Sequence, residues 1–301
     1  MAINELLLIL FVMLFIVISL AGNLLIVISV WRKRSLRSTT NYLLRNVAIA
    51  DIINLTFLPL LFINQHDALE KGYLADFLCK FIISYHIPLT TSIVSILTLT
   101  VLAVERYHAV VKPMNNWIRL QEGTVKYAII VVWLVSVVLT SPYYVYGEFG
   151  NLVKGKGKSC RYNLSHDIQN IYVIHLLCII VFIPFIVISF CYFQIVRELY
   201  FKNKVGPQNI ATEEETRDKR KLIKLSLLIT LTFVVCFFPL VITTSLSVID
   251  DERFPRKHSK AASVLYFLES VLNPFLYAFQ SSNFRQAFKE ILLCRHVPHD
   301  Q

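Results

Sequence analysis

The apolar positions of this chain fall in long runs separated by short polar segments. The runs extend roughly from Ile3 to Val30, Tyr42 to Ile63, Phe77 to Val104, Tyr127 to Tyr146, Ile171 to Val196, Leu222 to Ile249 and Ala261 to Phe279. A helix needs about 20 mostly apolar residues to cross a bilayer, and all seven are near or above that length. They alternate only weakly with a period of two, which argues against a membrane β-barrel. A backbone in lipid must satisfy its own hydrogen bonds, so the pattern predicts an all-α bundle of seven transmembrane helices. The first run is too long for a signal-peptide core and lacks a basic start, so it reads as the first span. Six of the ten prolines, Pro59, Pro88, Pro142, Pro184, Pro239 and Pro274, lie inside the runs. Kinks there suit a bundle with an internal cavity, where neighbours or water recover the freed carbonyls.

Composition agrees. Of 301 residues, 55% are hydrophobic and 17% charged, whereas soluble domains carry about 25% charged residues. This excludes a disordered chain, a disulfide-rich secreted module and a cytosolic enzyme of ordinary make. The net charge of +10 would suggest nucleic acid in a soluble protein. Assigned by loop, however, 20 of the 30 Lys and Arg lie on the side that includes the C-terminus. The positive-inside rule then puts the N-terminus outside and the C-terminus in the cytosol. Basic charge on that face sets topology and contacts anionic membrane lipids, and nucleic acid is not expected as a partner. The polar segments are short and leave no room for a soluble domain. No internal repeat of the kind that builds many transporters is visible.

Ionisable groups in lipid are costly and mark function by default. Asp51 lies in the middle of the second span, at the depth of Asn23, Ser95, Ser270 and Asn273. Glu269 is the other acid within a span. Two readings fit these groups: a hydrogen-bonded polar core, or oxygen ligands around a small hard cation. At the inner end of the third span, Glu105 beside Arg106 allows a charge-assisted pair that lets the guanidinium sit partly desolvated.

Taken in order, the polar motifs resemble those of the rhodopsin-like (class A) G-protein-coupled receptors, nearest in wording to the peptide-receptor branch. The resemblance rests on Gly22-Asn23, Ala48-Ile49-Ala50-Asp51, Glu105-Arg106-Tyr107 with Val110-Val111-Lys112-Pro113, and Trp133. It continues through Pro184 with Tyr192, Cys236-Phe237-Phe238-Pro239, Asn273-Pro274-Phe275-Leu276-Tyr277 and Phe284-Arg285-Gln286-Ala287-Phe288. It implies a receptor domain over residues 1–281, then an amphipathic helix and short cytoplasmic tail over 282–301. It also implies that Glu105, Arg106, Tyr107, Tyr192, Phe237, Pro239, Asn273, Pro274 and Tyr277 carry activation and coupling to a heterotrimeric G protein. Asp51, Ser95, Asn23 and Asn273 would form an allosteric sodium pocket, which Glu269 could join; no other cofactor is expected.

Four positions depart from the family pattern. Phe237 stands where Trp is usual, so the switch ring lacks an indole N–H. Glu269 replaces an uncharged polar residue. Lys219 stands where relatives carry an acid facing Arg106, with Asp218 as a possible substitute. Cys79 precedes Arg106 by two residues more than usual, and an inserted bulge near Pro88 would absorb them.

On the resemblance, Cys79 at the outer end of the third span and Cys160 in the second outer loop face the oxidising side and could pair, or remain two free thiols. Cys178, Cys191 and Cys236 lie within spans and read as packed thiols. Cys294 follows the amphipathic stretch, where palmitoylation competes with a free surface cysteine. Asn163-Leu164-Ser165 is an outward glycosylation sequon, whereas Asn54-Leu55-Thr56 is expected to be buried. The third span contains no Asp to hold an amine and the seventh no Lys for a retinal Schiff base. An upper cavity of Tyr85, His86, Leu89, His175, Val241, Thr244, Ser263 and Phe267 is the expected ligand site. A peptide is the expected extracellular ligand, with a lipid-like ligand or an orphan, constitutively active receptor as alternatives. An ion channel or transporter would want a more continuous polar track. An enzyme would want a catalytic set such as HExxH or GxSxG, and none is found.

Overall fold

The computed structural model describes residues 3–57, 72–83, 86–112, 120–151, 158–198, 210–249 and 256–293. The first two spans are α1 (Ile3–Arg32) and α2 (Thr39–Phe57). The third comprises a short α3 (Tyr73–Leu78), a π-helical turn at Cys79–Ile83 and α4 (His86–Val111). The fourth is α5 (Val125–Tyr146). A hairpin of β1 (Gly147–Asn151) and β2 (Lys158–Tyr162) follows. The fifth span is α6 (His166–Leu177), a second π turn at Cys178–Phe182 and α7 (Ile183–Arg197). The sixth is α8 (Ile210–Ile249), the seventh α9 (Arg256–Gln280), and α10 (Ser282–Leu292) runs on from it.

All seven predicted helices are present among the described residues, and five stretches are long and apolar enough to cross a membrane by length and composition. α2 and α9 fall short because they carry the polar interior, including Asn46, Asp51, Asn54, Glu269, Ser270 and Asn273, all buried. The outward faces are apolar, with Leu134, Val138, Ile186 and Phe193 exposed. Such an inside-out distribution suits lipid as the solvent.

α4 is the central post and packs against α2, α5, α7 and α8, while α1 lies between α2 and α9. A polar tie crosses three helices at mid-depth. Trp133 Nε1 on α5 donates to Asn46 Oδ1 at 3.0 Å, and Asn46 Nδ2 donates to Thr98 Oγ1 on α4 at 2.8 Å. One amide thus satisfies an indole and a hydroxyl that lipid could not.

The prolines divide into two kinds. Pro142, Pro239 and Pro274 are interior to helices, as expected of kink sites. Pro184 occupies the first turn of α7 and Pro88 is the third residue of α4, positions where a missing N–H costs little. Each of these two segments follows a π turn. An irregular turn does lie between Cys79 and Arg106, at Cys79–Ile83, a few residues before Pro88. Pro59 lies outside the described residues.

The hairpin was not foreseen. Phe149 pairs with Cys160 in the antiparallel register, and its ring is fully buried against Ala75, Cys79 and Cys160. Its amide donates to Asp76 Oδ1 at 2.8 Å. The expected Cys79–Cys160 disulfide is present and ties this hairpin to the outer end of the third span.

At the inner end, Ser281 caps α10 by accepting from the Phe284 amide at 3.4 Å. Phe284 and Ala287 are buried, and Glu290 pairs with Lys33 beside the first inner loop. Arg285 Nη1 donates to the Phe279 carbonyl at 3.0 Å, satisfying a freed carbonyl at the end of α9.

At Gly22, α1 lies tight against Pro274 of α9. A Cβ built there would lie 2.7 Å from both Cβ and Cγ of Pro274, and a proline ring cannot rotate away. Gly22→Ala is expected to force the two helices apart and destabilise the bundle by about 1–3 kcal/mol. Thermal unfolding of the purified protein measures this; an unchanged midpoint would mean that the helices shift at no cost.

Candidate functional site

The polar interior converges on one cluster at mid-depth. Asp51 and Glu269 are each only 2% exposed, and they share donors. Asn273 Nδ2 reaches Asp51 Oδ2 at 2.9 Å and Glu269 Oε1 at 2.7 Å. Ser270 Oγ lies 3.0 Å from Asp51 Oδ1 and 3.5 Å from Glu269 Oε2. The helical spacing of Glu269 and Asn273, four apart, stacks them on one face of α9. Asn23 joins one step removed: its Nδ2 donates to the Ser270 carbonyl at 2.9 Å and to the Ser19 carbonyl at 3.0 Å. Ser95 is buried in α4 without a hydrogen bond to either carboxyl group.

Among the described residues no Lys, Arg or His pairs with Asp51 or Glu269. Two buried carboxyl groups with only neutral donors need a proton or a cation as compensation. The side-chain oxygens of Asn23 and Asn273 are buried without a hydrogen-bond partner. Carboxylate and amide oxygens gathered this way fit a small hard cation, which takes oxygen ligands.

The inner end of α4 carries the second feature. Arg106 forks onto Glu105: Nη2 donates to Oε1 at 2.6 Å, and Nε pairs with Oε2. Glu105 is 4% exposed, so the bidentate pair is what lets its charge be buried. Arg106 and Glu105 open onto a cleft of about 450 Å³ also lined by Ser38, Thr39, Leu120, Gln121 and Glu122. Tyr107 lies beside them, its ring 5.9 Å from Phe190. Asp218 and Lys219 belong to α8, but their side chains fall outside the described residues.

Two tyrosines flank this end differently. Thr230 gives its hydroxyl proton to the Ser226 carbonyl at 2.9 Å, so Tyr192 on α7 donates to Thr230 on α8 at 3.3 Å. Tyr277 is 1% exposed, its ring 5.1 Å from Phe284 and its hydroxyl without a hydrogen-bond partner. Above them, Phe237 packs against three separate apolar clusters, two residues before the helix-interior Pro239.

The expected ligand cavity is only partly assembled. Leu89 and Val241 meet in one cluster with Ile93, Leu176, Ile180 and Val181. Phe267 packs instead with Ile16, Leu55 and Tyr266. His86 is not among the residues of that cluster: it is buried between the third and fourth spans, 5.5 and 5.3 Å from the rings of Tyr143 and Tyr144, with Nδ1 on the Lys80 carbonyl. His175 faces outward, with Nδ1 on the Ile171 carbonyl at 2.7 Å. Tyr85 and the side chains of Thr244 and Ser263 lie outside the described residues, as does Cys294. Asn163 is exposed just beyond β2, whereas Asn54 is buried, so of the two sequons the one at Asn163 is accessible. Cys191 and Cys236 are packed thiols, but Cys178 is exposed because it lies on the outward face at the π turn.

A bundle of this kind, with a buried polar cluster and a capped arginine at its inner mouth, defines a seven-helix membrane receptor. The profile of the seven-transmembrane receptor, rhodopsin family, matches residues 22–277; the chain belongs to that family and is a multi-pass membrane protein rather than an enzyme. It is similar to the QRFP-like peptide receptor of Branchiostoma floridae, 27% identical over 288 residues that cover 92% of this chain and 75% of the relative. It is also similar to somatostatin receptor type 4 of Rattus norvegicus, 26% identical over 92% of this chain and 70% of that receptor. The substance-P receptor of Aquarana catesbeiana is 25% identical over 92% and 68% respectively.

Proposed function

We propose that this protein is a plasma-membrane receptor, N-terminus outside and C-terminus in the cytosol, that binds an extracellular peptide and activates heterotrimeric G proteins. The observation that carries the coupling reading is the Glu105–Arg106 fork at the mouth of the inner cleft. Arg106 is the residue an entering G protein would recruit after α8 swings outward about Pro239. Tyr192 would then leave Thr230, and Tyr277, whose hydroxyl is unpartnered here, would gain a partner, to stabilise the open form. Physically this is a two-state bundle whose equilibrium an outside ligand and an inside partner both bias.

The peptide reading is supported by relatives named as peptide, somatostatin and substance-P receptors. Leu89, Val241 and Phe267 are its candidate contacts in this chain, and basic outer-loop residues would steer a ligand that bears a carboxylate. Asp51, Asn23, Asn273 and Glu269, with Ser95 of α4 as a further candidate, would hold a sodium ion that favours the closed form. Asn163 is the proposed glycosylation site and Cys294 the proposed palmitoylation site. A ligand panel on cells expressing the receptor tests the assignment: a peptide is expected to elicit the signal. A response to a biogenic amine or a lipid, with none to peptides, would overturn it.

A further inference from the structure

Tyr266 on α9 sits two turns above Asn273, at a place the activation motifs do not include. It is 5% exposed, and its hydroxyl bonds to two other helices: Asn54 on α2 and Ser92 on α4. The proton direction is determined. Ser92 gives its only hydroxyl proton to the Pro88 carbonyl at 2.6 Å, so it accepts from Tyr266, whose oxygen accepts from Asn54 Nδ2. A one-way chain therefore runs from α2 through α9 and α4 to the proline at the outer end of α4. The Tyr266 ring also lies edge-on to Phe237, 5.9 Å between centroids, and Phe237 stacks on Phe233 at 5.2 Å. Tyr266 is thus the point where the aromatic stack of α8 meets the hydrogen-bond chain of α2 and α4.

A phenylalanine would fill the same space and make the same ring contact. The hydroxyl needs its own explanation, because a buried phenol without partners is costly. Phe237 has no polar atom to anchor it, although it packs against three clusters.

We propose that Tyr266 is the positioning residue of the activation switch: held between Asn54 and Ser92, it keeps Phe237, and with it α8, in the closed arrangement. The chain supplies from α9 the polar anchor that a Trp at the Phe237 position would supply from the sixth span. This reading rests on the proposed receptor function but concerns the conformational equilibrium, not the coupling step.

Tyr266→Phe keeps the ring and removes the chain. At equal surface expression it is expected to raise agonist-free signalling about three- to tenfold. Ser92→Ala is expected to do the same and Ser92→Thr to restore the wild-type level. The double variant Tyr266→Phe/Ser92→Ala is expected to signal no more than either single one, because both break one chain. The inner ends can be watched directly in purified receptor with spin labels at Lys126→Cys and Lys224→Cys, in a background lacking Cys178 and Cys294. Tyr266→Phe is expected to enlarge the long-distance population, which a purely structural loss of stability would not do selectively. Unchanged or reduced basal signal with an unchanged distance distribution would overturn the proposal, as would additive single variants. If the distances shift while no variant signals, the positioning role stands and the coupling reading fails.

Discussion

Arg106→Ala is expected to reduce agonist-stimulated G-protein activation strongly while leaving the receptor folded and able to bind its ligand. The guanidinium makes a bidentate contact with Glu105 and opens onto the inner cleft, so its loss removes a partner contact rather than a core contact. Coupling free energies between receptor sites are typically 1–3 kcal/mol, and losing one on this scale lowers signalling about 5- to 150-fold. The substitution also leaves Glu105, at 4% exposure, as a buried carboxylate without its cation. Breaking such a pair is destabilising, so surface expression must be matched before signals are compared. Arg106→Lys separates the two effects: it keeps the charge but cannot form the planar fork. Signalling that survives Arg106→Ala at equal surface expression would remove Arg106 from the coupling surface.

The second large effect is expected at the buried carboxyl cluster. With wild-type receptor, replacing sodium by a bulky organic cation is expected to change agonist affinity several-fold, within the usual range of allosteric coupling. Asp51→Asn keeps the shape and removes the charge, and it is expected to abolish that dependence. Glu269→Gln is expected to weaken it without abolishing it, because Glu269 shares Asn273 and Ser270 with Asp51. Thermal unfolding of purified receptor in the two salts provides a readout independent of signalling, since a ligand that binds only the folded state raises its stability. A sodium effect equal in wild type and Asp51→Asn would place the ion elsewhere or nowhere in the bundle.

Heights along each span are legible in the sequence where faces are not. Apolar run length located the spans, and counting along each placed Asp51, Ser270 and Asn273 at one depth, where the structure brings them into contact. Depth does not give azimuth, however. His86 and His175 lie at suitable heights for an upper cavity, yet one turns into the interface with the fourth span and the other faces outward. A helix rotates about 100° per residue, so a small local irregularity redirects a side chain that hydropathy treats as equivalent. The π turns carry no distinct hydropathy signature. Neither do β1, Gly-Glu-Phe-Gly-Asn, and β2, Lys-Ser-Cys-Arg-Tyr, too polar and short to stand out beside bilayer-length runs. Asn46, Thr98 and Tyr266 were passed over, although a polar residue inside a span is itself the signal that would have found them. Their partners lie on other helices, and pairing of that kind is legible only after folding.

The π turn at Cys79–Ile83 gives the third span two frames of reference. Below it, from His86 inward, each position keeps its phase relative to Arg106 in a continuous helix. Above it, the helix is wound differently, and the outermost positions are tied to the hairpin that Cys79 joins. Counting from the arginine by regular helical spacing therefore serves for Leu89 and Ser92, which share its continuous helix, but not for Lys80 and Phe81 within the turn. Chimeras that exchange outer ends with other receptors should be joined below this turn, so that the donated segment carries its own phase with it.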